Sequence, residues 1–202
     1  MGNNFRERRS AGFTIVELAT VISVIVILAA IIFVAYPAYL QTTRDNARKS
    51  DLQEIASALN AYAIKNNSFV NSASTDGSGN GCGRSSSGNG WFDEGPDANY
   101  PASISTCLKN AGVFTKNIVD PTGCVYDGVG SCWGSSGVTA YMKATCTKNS
   151  VPVTYVIAYL ETQQSRNTEI DALCDNGSVA GFTSSTQKWG TNYGMNYYVT
   201  VK

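Results

Sequence analysis

The most extended pattern in the chain is an apolar run over residues 12–40, and no residue from Leu18 to Thr43 is charged. A helix that rises about 1.5 Å per residue carries such a run across the roughly 30 Å hydrocarbon core of a membrane. One acid, Glu17, lies near the start of the run, after a short basic leader. Because a carboxylate in such a segment is energetically costly, we expect Glu17 to have a specific role.

The apolar pattern then changes period. From residue 44 to residue 64, apolar residues recur at steps of three and four, which predicts that the helix continues to about residue 66 in amphipathic form. Asp45 precedes Lys49 by four residues, the order that favours an exposed ion pair. Pro37 predicts a helix break, since proline removes a backbone hydrogen bond and crowds the preceding turn. The predicted apolar stripe consists of Ala47, Leu52, Ile55, Ala56, Leu59 and Ala63.

Strand patterns follow in the second half of the chain. Alternation predicts a strand over residues 138–146, and a more continuous apolar run predicts one over residues 151–160. A third strand is predicted over residues 195–201, with a turn at residues 148–150 and a short helix within residues 103–113. An antiparallel sheet needs one covered face, and the helical stripe is available to cover it. The predicted fold is therefore α+β: a long N-terminal helix, membrane-spanning in its first half, packed on a small antiparallel sheet with loop elaborations.

Two stretches lack a regular pattern and are predicted to be loops, residues 66–99 and residues 162–194. The first is rich in Ser, Gly and Asn, which indicates an exposed excursion. In the second, we expect Phe182, Trp189 and Tyr193 to cover the sheet rather than to form a binding surface. Asp93, Glu94, Asp97 and Asn99 offer oxygen ligands, but without a specific spacing, so a solvated acidic loop is favoured over a calcium site.

Composition narrows the function classes. The chain has 15 basic and 15 acidic residues, so it carries no clear nucleic-acid footprint. It has no His, which excludes Ser-His-Asp and Cys-His catalysis, and it has no phosphate-binding glycine motif before a helix. We therefore expect neither an enzyme nor a cofactor.

All six cysteines lie beyond the apolar run, at Cys82, Cys107, Cys124, Cys132, Cys146 and Cys174. An even number on one side of a span indicates disulfides in an oxidising compartment. A metal site is disfavoured, because there is neither a CxxC pair nor a His. Basic residues flank the span on both sides, so the cysteines decide the topology and place the C-terminal part outside the cytoplasm. The disulfide pairing stays open, although Cys124 and Cys132 flank a Gly-rich turn and could close a short loop.

Gly12-Phe13-Thr14-Ile15-Val16-Glu17-Leu18, followed by this apolar run, resembles the processing site of type IV pilins and type II secretion pseudopilins. Residues 50–62 resemble the helix that follows the membrane segment in major pseudopilins and related pilins. Asp120-Pro121-Thr122-Gly123 resembles the turn that precedes their sheet. The resemblance implies that a prepilin peptidase cuts between Gly12 and Phe13 and methylates the new amino terminus of Phe13.

The resemblance also implies a domain plan and a function. Residues 1–12 are the leader, 13–40 the transmembrane and filament-core helix, 41–66 its amphipathic continuation, and 67–202 a disulfide-containing head. The single-pass subunit waits in the membrane with its head outside the cytoplasm. An inner-membrane assembly platform then adds it to identical or related pilin subunits in an extracellular or periplasmic filament.

Two residues acquire roles in this picture. Glu17 of one subunit neutralises the Phe13 amine of its neighbour, and the helix melts locally at Pro37 when subunits pack. The alternatives are a type II secretion pseudopilin, which forms a short periplasmic piston, and a membrane-anchored adhesion or binding protein that does not polymerise. An ordinary secretory signal fits less well, because the apolar run is longer than a signal requires.

Overall fold

The computed structural model describes residues 12–67, 90–92, 103–124, 132, 139–175 and 189–201. It confirms an α+β layout with a long apolar N-terminal helix and a small antiparallel sheet. Two compact units divide the chain, Met1–Leu40 and Gln41–Lys202. The elements in chain order are α1 (Ile15–Asn66), β1 (Gly90–Trp91), α2 (Ile104–Asn110), β2 (Met142–Lys148), β3 (Val151–Ala158), α3 (Asn167–Asp171), α4 (Trp189–Tyr193) and β4 (Tyr197–Val201).

Helix α1 is continuous across Pro37. The break predicted at this residue is therefore absent from the secondary structure of the single chain. Proline removes one hydrogen bond from the helical ladder, and the turns on both sides keep theirs. Local melting at Pro37 concerns an assembled filament and stays a prediction.

The amphipathic part of α1 supplies one side of the hydrophobic core. Leu52, Ile55 and Leu59 are fully buried, and Ala56 is nearly so, which confirms the centre of the predicted stripe. Burying a Leu or Ile side chain contributes about 1.5–3 kcal/mol, so these three residues are a main attachment of the helix. Their core partners in the rest of this unit are Phe92, Ile104, Leu108, Phe114, Ile118, Tyr141, Val156, Ala158 and Val201.

The sheet has the order β1-β2-β3-β4, with every pair antiparallel. The β2–β3 hairpin turns at Asn149 and Ser150, whose φ angles of 50° and 63° suit a two-residue hairpin. Strand β2 begins at Met142, later than predicted. The residues just before β2 form hydrogen bonds outside the β2–β3 pair. The N–H of Thr139 donates to the Cys132 carbonyl, and the Tyr141 carbonyl accepts from the N–H of Phe92.

The second face of the sheet is also covered, which the prediction of one covered face missed. Met142 and Ile157 point into a second cluster that includes Trp189. The covering comes partly from α3 and α4, in a stretch that was predicted as loop. Asp171 at the end of α3 accepts a hydrogen bond of 2.7 Å from the backbone N–H of Gly190 in α4, which fixes the two short helices together. Trp189 and Tyr193 thus act as packing residues, whereas Phe182 lies outside the described residues.

A buried ionic cluster ties α1 to the rest of the unit Gln41–Lys202. Arg48 is fully buried, and its Nε and Nη2 donate to the two carboxylate oxygens of Asp120 at 2.6 Å and 3.1 Å. Its Nη1 donates to Glu161 at 2.8 Å and to Asp45 at 3.2 Å. Arg44 donates to Glu161 at 2.7 Å, and this hydrogen bond lowers the pKa of Glu161 against the opposing effect of burial.

Asp45 has a different role from the one predicted. It is 1% exposed and does not form the expected exposed pair with Lys49. Its carboxylate accepts hydrogen bonds of 2.8 Å from the backbone N–H groups of Glu161 and Thr162, and one of 2.6 Å from the Thr162 hydroxyl. Asp45 therefore holds the chain where it leaves β3. Lys49 lies instead over the ring of Tyr197, with Nζ 5.7 Å from the centroid.

The turn at residues 120–123 forms as predicted. Gly123 N–H donates to the Asp120 carbonyl at 2.7 Å, and Gly123 has a φ of +79°, which favours glycine. The Asp120 carboxylate accepts from both the backbone N–H and the hydroxyl of Thr122. These bonds hold the carboxylate in place for Arg48.

The structure shows one complete disulfide, Cys124–Cys132, with a Cα–Cα distance of 5.5 Å. It closes a short loop across the Gly-rich stretch, one of the pairings that the sequence left open. Cys107 on α2 and Cys174 after α3 are also disulfide-bonded, and no cysteine in the described part of the chain is free. Cys82 and the side chain of Cys146 lie outside the described residues.

We predict that Arg48→Met destabilises the folded chain by about 3–5 kcal/mol, because it leaves Asp45 and Asp120 buried without their cation. The measurement is urea unfolding of the full chain in detergent, followed by tryptophan fluorescence. Arg166→Met is the matched control, since Arg166 pairs with Glu169 at the surface. Little change is expected there. Equal stability of the two variants would contradict a structural role for the cluster.

A second prediction concerns Lys143, which is fully buried on β2 and whose pKa burial lowers to about 7. Between about pH 7 and about pH 9 the unfolded chain keeps this proton and the folded chain releases it. The free energy of unfolding should therefore rise by about 2 kcal/mol over this interval from Lys143 alone.

The comparison of variants isolates this contribution. Lys143→Met should lack the rise, whereas Lys116→Met should keep it, because Lys116 is exposed and paired with Glu54. Urea unfolding at both pH values measures the difference. A wild-type slope in Lys143→Met would show that another group titrates.

Candidate processing and assembly site

The predicted cleavage position lies in an accessible, non-helical segment. Gly12, Phe13 and Thr14 precede α1, and the side chain of Phe13 is 91% exposed. No atom lies within 4 Å of the position that a Cβ at Gly12 would occupy, and Gly12 does not have a left-handed φ. The described fold therefore gives no steric reason for glycine at this position.

Helix α1 begins with a capping box formed by Thr14 and Glu17. The Glu17 carboxylate accepts from the backbone N–H and from the hydroxyl of Thr14, both at 2.8 Å. In return, Glu17 N–H donates to the Thr14 hydroxyl at 3.2 Å. Such reciprocal bonds satisfy the donors that the first turn of a helix leaves open. Sequence reasoning singled out Glu17 but missed Thr14, although Thr-x-x-Glu before an apolar run is the usual signature of this cap.

The helix that follows has an uncovered apolar surface. Every large apolar side chain from Phe13 to Tyr39 is more than half exposed, and Val34 reaches 82%. The most apolar window of α1 is long enough to cross a membrane, and none of it is buried. An apolar surface of this extent needs lipid or other protein against it.

The neutral polar groups within this surface are satisfied by the helix itself. The hydroxyl of Thr20 donates to the Glu17 carbonyl at 2.9 Å, and that of Ser23 donates to the Ala19 carbonyl at 2.8 Å. Such hydroxyls fit an apolar environment because their donors have partners inside the helix. Glu17 is different, since it is the one acidic or basic residue of residues 12–43.

The structure thus brings Gly12, Phe13 and Glu17 together at the start of α1. Pro37 lies further along the same helix, and the described cysteines belong to the unit Gln41–Lys202. Asp93, Glu94, Asp97 and Asn99 lie outside the described residues. Among the described residues, no group of three or more His, Cys, Asp or Glu is placed to hold a metal ion.

Comparisons of the chain with protein-family models, with curated proteins and with solved structures find no match. A functional assignment therefore depends on the residues and the geometry described above.

We predict that the mature protein begins at Phe13 and that Gly12→Val blocks its maturation, because the predicted cut follows this glycine. The described fold does not require glycine here, so the loss of maturation would not reflect misfolding. Mass spectrometry of the native amino terminus measures both. Ala11→Val, a similar change at the adjacent leader residue, is the control and should be processed. A wild-type terminus at Met1, or one near Ala35 as a secretory signal would leave, would contradict this site.

Proposed function

We propose that this chain is a structural pilin subunit, which polymerises through its N-terminal apolar helix into a type IV pilus-like filament after removal of residues 1–12. The observation that carries the proposal is the uncovered apolar segment of residues 13–40, whose single charged side chain, Glu17, lies in the first turn of α1. The proposed role is structural and requires neither a catalytic residue nor a cofactor.

The exposed surface of residues 13–40 is compatible with two environments. Before assembly, lipid covers it and the subunit is a single-pass membrane protein. After assembly, the helices of neighbouring subunits cover it in the filament core. One surface serves both states because lipid tails and packed aliphatic side chains are similarly apolar.

Glu17 favours a subunit over a plain anchor. An anchor gains nothing from a carboxylate in its apolar segment, and the carboxylate makes insertion less favourable. In a bundle, the carboxylate of one subunit neutralises the free or methylated Phe13 amine of the next. An unpaired charge in such a bundle is strongly unfavourable, so this pairing favours one axial register.

The unit Gln41–Lys202 has the properties expected of the head of such a subunit. Its disulfides suit an oxidising compartment, which supports a position outside the cytoplasm. Its amphipathic helix is held by buried apolar residues and by the Arg48 cluster. The partners in this proposal are a prepilin peptidase and methylase, an inner-membrane assembly platform and further pilin subunits.

Two alternatives share part of this description. A type II secretion pseudopilin would use the same helix and the same Glu17 pairing, and residues 50–62 resemble the corresponding helix of major pseudopilins and related pilins alike. A membrane-anchored adhesion or binding protein would need the apolar helix but not Glu17. The three differ in whether fibres form and where they appear.

We predict that Glu17→Ala is cleaved and inserted normally but forms few or no fibres, because it leaves the neighbouring Phe13 amine unpaired at a cost of about 3–5 kcal/mol per interface. The measurement is a count of sheared fibres, normalised by blot to the subunit in the membrane. Ser23→Ala is the control, since its hydroxyl bonds only to the helix backbone in the described chain.

Each alternative has its own outcome. Wild-type fibre yield from Glu17→Ala would show that Glu17 does not drive packing. Loss of protein secretion, without surface fibres in either strain, would favour the pseudopilin. Equal function without fibres in either strain would favour the anchor.

A further inference from the structure

The chain segment that follows α3 is fastened to the β2–β3 hairpin by hydrogen bonds. The backbone N–H of Asp175 donates to the Thr147 carbonyl at 2.9 Å. Lys148 Nζ donates to the Ala172 carbonyl at 2.6 Å. In the opposite direction, the backbone N–H of Ser150 donates to the Asp175 carboxylate at 3.2 Å. This segment therefore lies along the end of β2.

Cys174 belongs to this segment, is 7% exposed and is disulfide-bonded. Its partner is neither Cys124 nor Cys132, because these two are bonded to each other. Cys107 does not fit either. It packs against the cluster on the α1 side of the sheet, whereas Cys174 is part of the cluster on the opposite face. A disulfide requires Cα atoms about 4.4–6.8 Å apart, and cysteines on opposite faces of a sheet do not meet this condition.

The backbone of β2 places Cys146 on the face where Cys174 lies. Cys146 is registered opposite Val153, and Val153 packs against the cluster that contains Cys174. Ala144, two positions earlier on the strand, is part of the same cluster. Alternate positions of a strand share one face, so Ala144 and Cys146 occupy the same side of the sheet.

We propose that Cys146 and Cys174 form a disulfide, and that this bond keeps the segment after α3 on the sheet. The hydrogen bond from Asp175 to Thr147 joins the two residues that directly follow these cysteines, so the backbone already brings the two positions together. The inference goes beyond the proposed function, since it holds whether or not the chain forms fibres.

The chemistry of the bond is that of thiol–disulfide exchange. Formation joins the two Sγ atoms and releases two protons and two electrons. The electrons pass to a protein disulfide of the oxidising compartment, which is reduced to two thiols as the new bond forms.

The length of the closed loop indicates what the bond does. The two cysteines are 28 positions apart, and the loop between them contains β3 and α3. Cys124 and Cys132 are 8 positions apart. In the chain-entropy account a disulfide disfavours open states more strongly when its loop is longer. The Cys146–Cys174 bond should therefore restrict opening of α3 more than the shorter bond restricts its own loop.

A tryptic digest of the unreduced chain tests the pairing. The denatured protein is first alkylated, so that thiols do not exchange, and is then digested without reductant. Cleavage after Lys and Arg places Cys146 in the peptide of residues 144–148 and Cys174 in that of residues 167–188, and the other cysteines fall in other peptides. We expect these two peptides to be linked until reductant is added. A link from the second peptide to any other, or alkylated Cys146, would overturn the pairing.

Limited proteolysis of the native full chain in detergent tests the role of the bond. Arg166 precedes α3, and its side chain is 39% exposed. Trypsin cuts there when the segment opens. We expect Cys146→Ser/Cys174→Ser to be cut after Arg166 about tenfold faster than wild type, because the unlinked segment opens more often. The matched control, Cys124→Ser/Cys132→Ser, should stay within about twofold of wild type.

The remaining outcomes separate the pairing from its role. A mapped bond whose loss leaves cleavage unchanged would show that hydrogen bonds alone hold the segment, and the assigned role would be wrong. Equal acceleration in both double variants would indicate a general loss of stability and would also overturn the role. If the double variant does not fold, the disulfide map of the wild-type chain still decides the pairing. None of these results changes the fibre count of Glu17→Ala, so this inference and the proposed function fail separately.

Discussion

The buried guanidinium of Arg48 is the interaction on which the globular part of the chain depends. Its donors join α1 to the turn that contains Asp120 and to Glu161, which lies shortly after the end of β3. A guanidinium removed from water is destabilising unless its donors are used, and the planar geometry of Arg suits carboxylates. Burial disfavours the charge of Arg48, but the hydrogen bonds to Asp120 and Glu161 outweigh it and raise its pKa. These contacts therefore help to fix where along the helix the apolar stripe packs on the sheet.

Part of this cluster was readable in the sequence. Asp45 and Arg48 continue the spacing of Leu52, Ile55 and Leu59 at alternating steps of three and four, which places them on the buried face of α1. The predicted exposed pair related Asp45 to Lys49 alone. It missed that the buried stripe of α1 continues into the charged residues Asp45 and Arg48. A charged residue in register with an apolar stripe indicates a buried partner elsewhere in the chain.

The distant partners of Arg48 could not be predicted from the sequence alone. Asp120 and Glu161 are far from Arg48 along the chain, and no local pattern connects them. The same limit applies to the second face of the sheet, because β1, α3 and α4 are too short for a helical or strand period to emerge. The strands β2, β3 and β4 and the helix α2 were predictable, since each has a local signal: alternation, a hairpin turn, or the capping residue Ser103 before its first turn.

A carboxylate in an apolar environment is costly unless donors reach its oxygens, and two regions of the described chain differ in how far they meet this requirement. In the globular unit the requirement is met within one chain: Asp45 and Asp120 each receive donors on both oxygens. At the start of α1 the donors of Thr14 serve one oxygen of Glu17. These two buried carboxylates are thus satisfied within one molecule, whereas the carboxylate of the apolar segment has room for a further donor. That difference supports a subunit whose missing donor comes from a neighbouring copy over a protein that functions alone in the membrane.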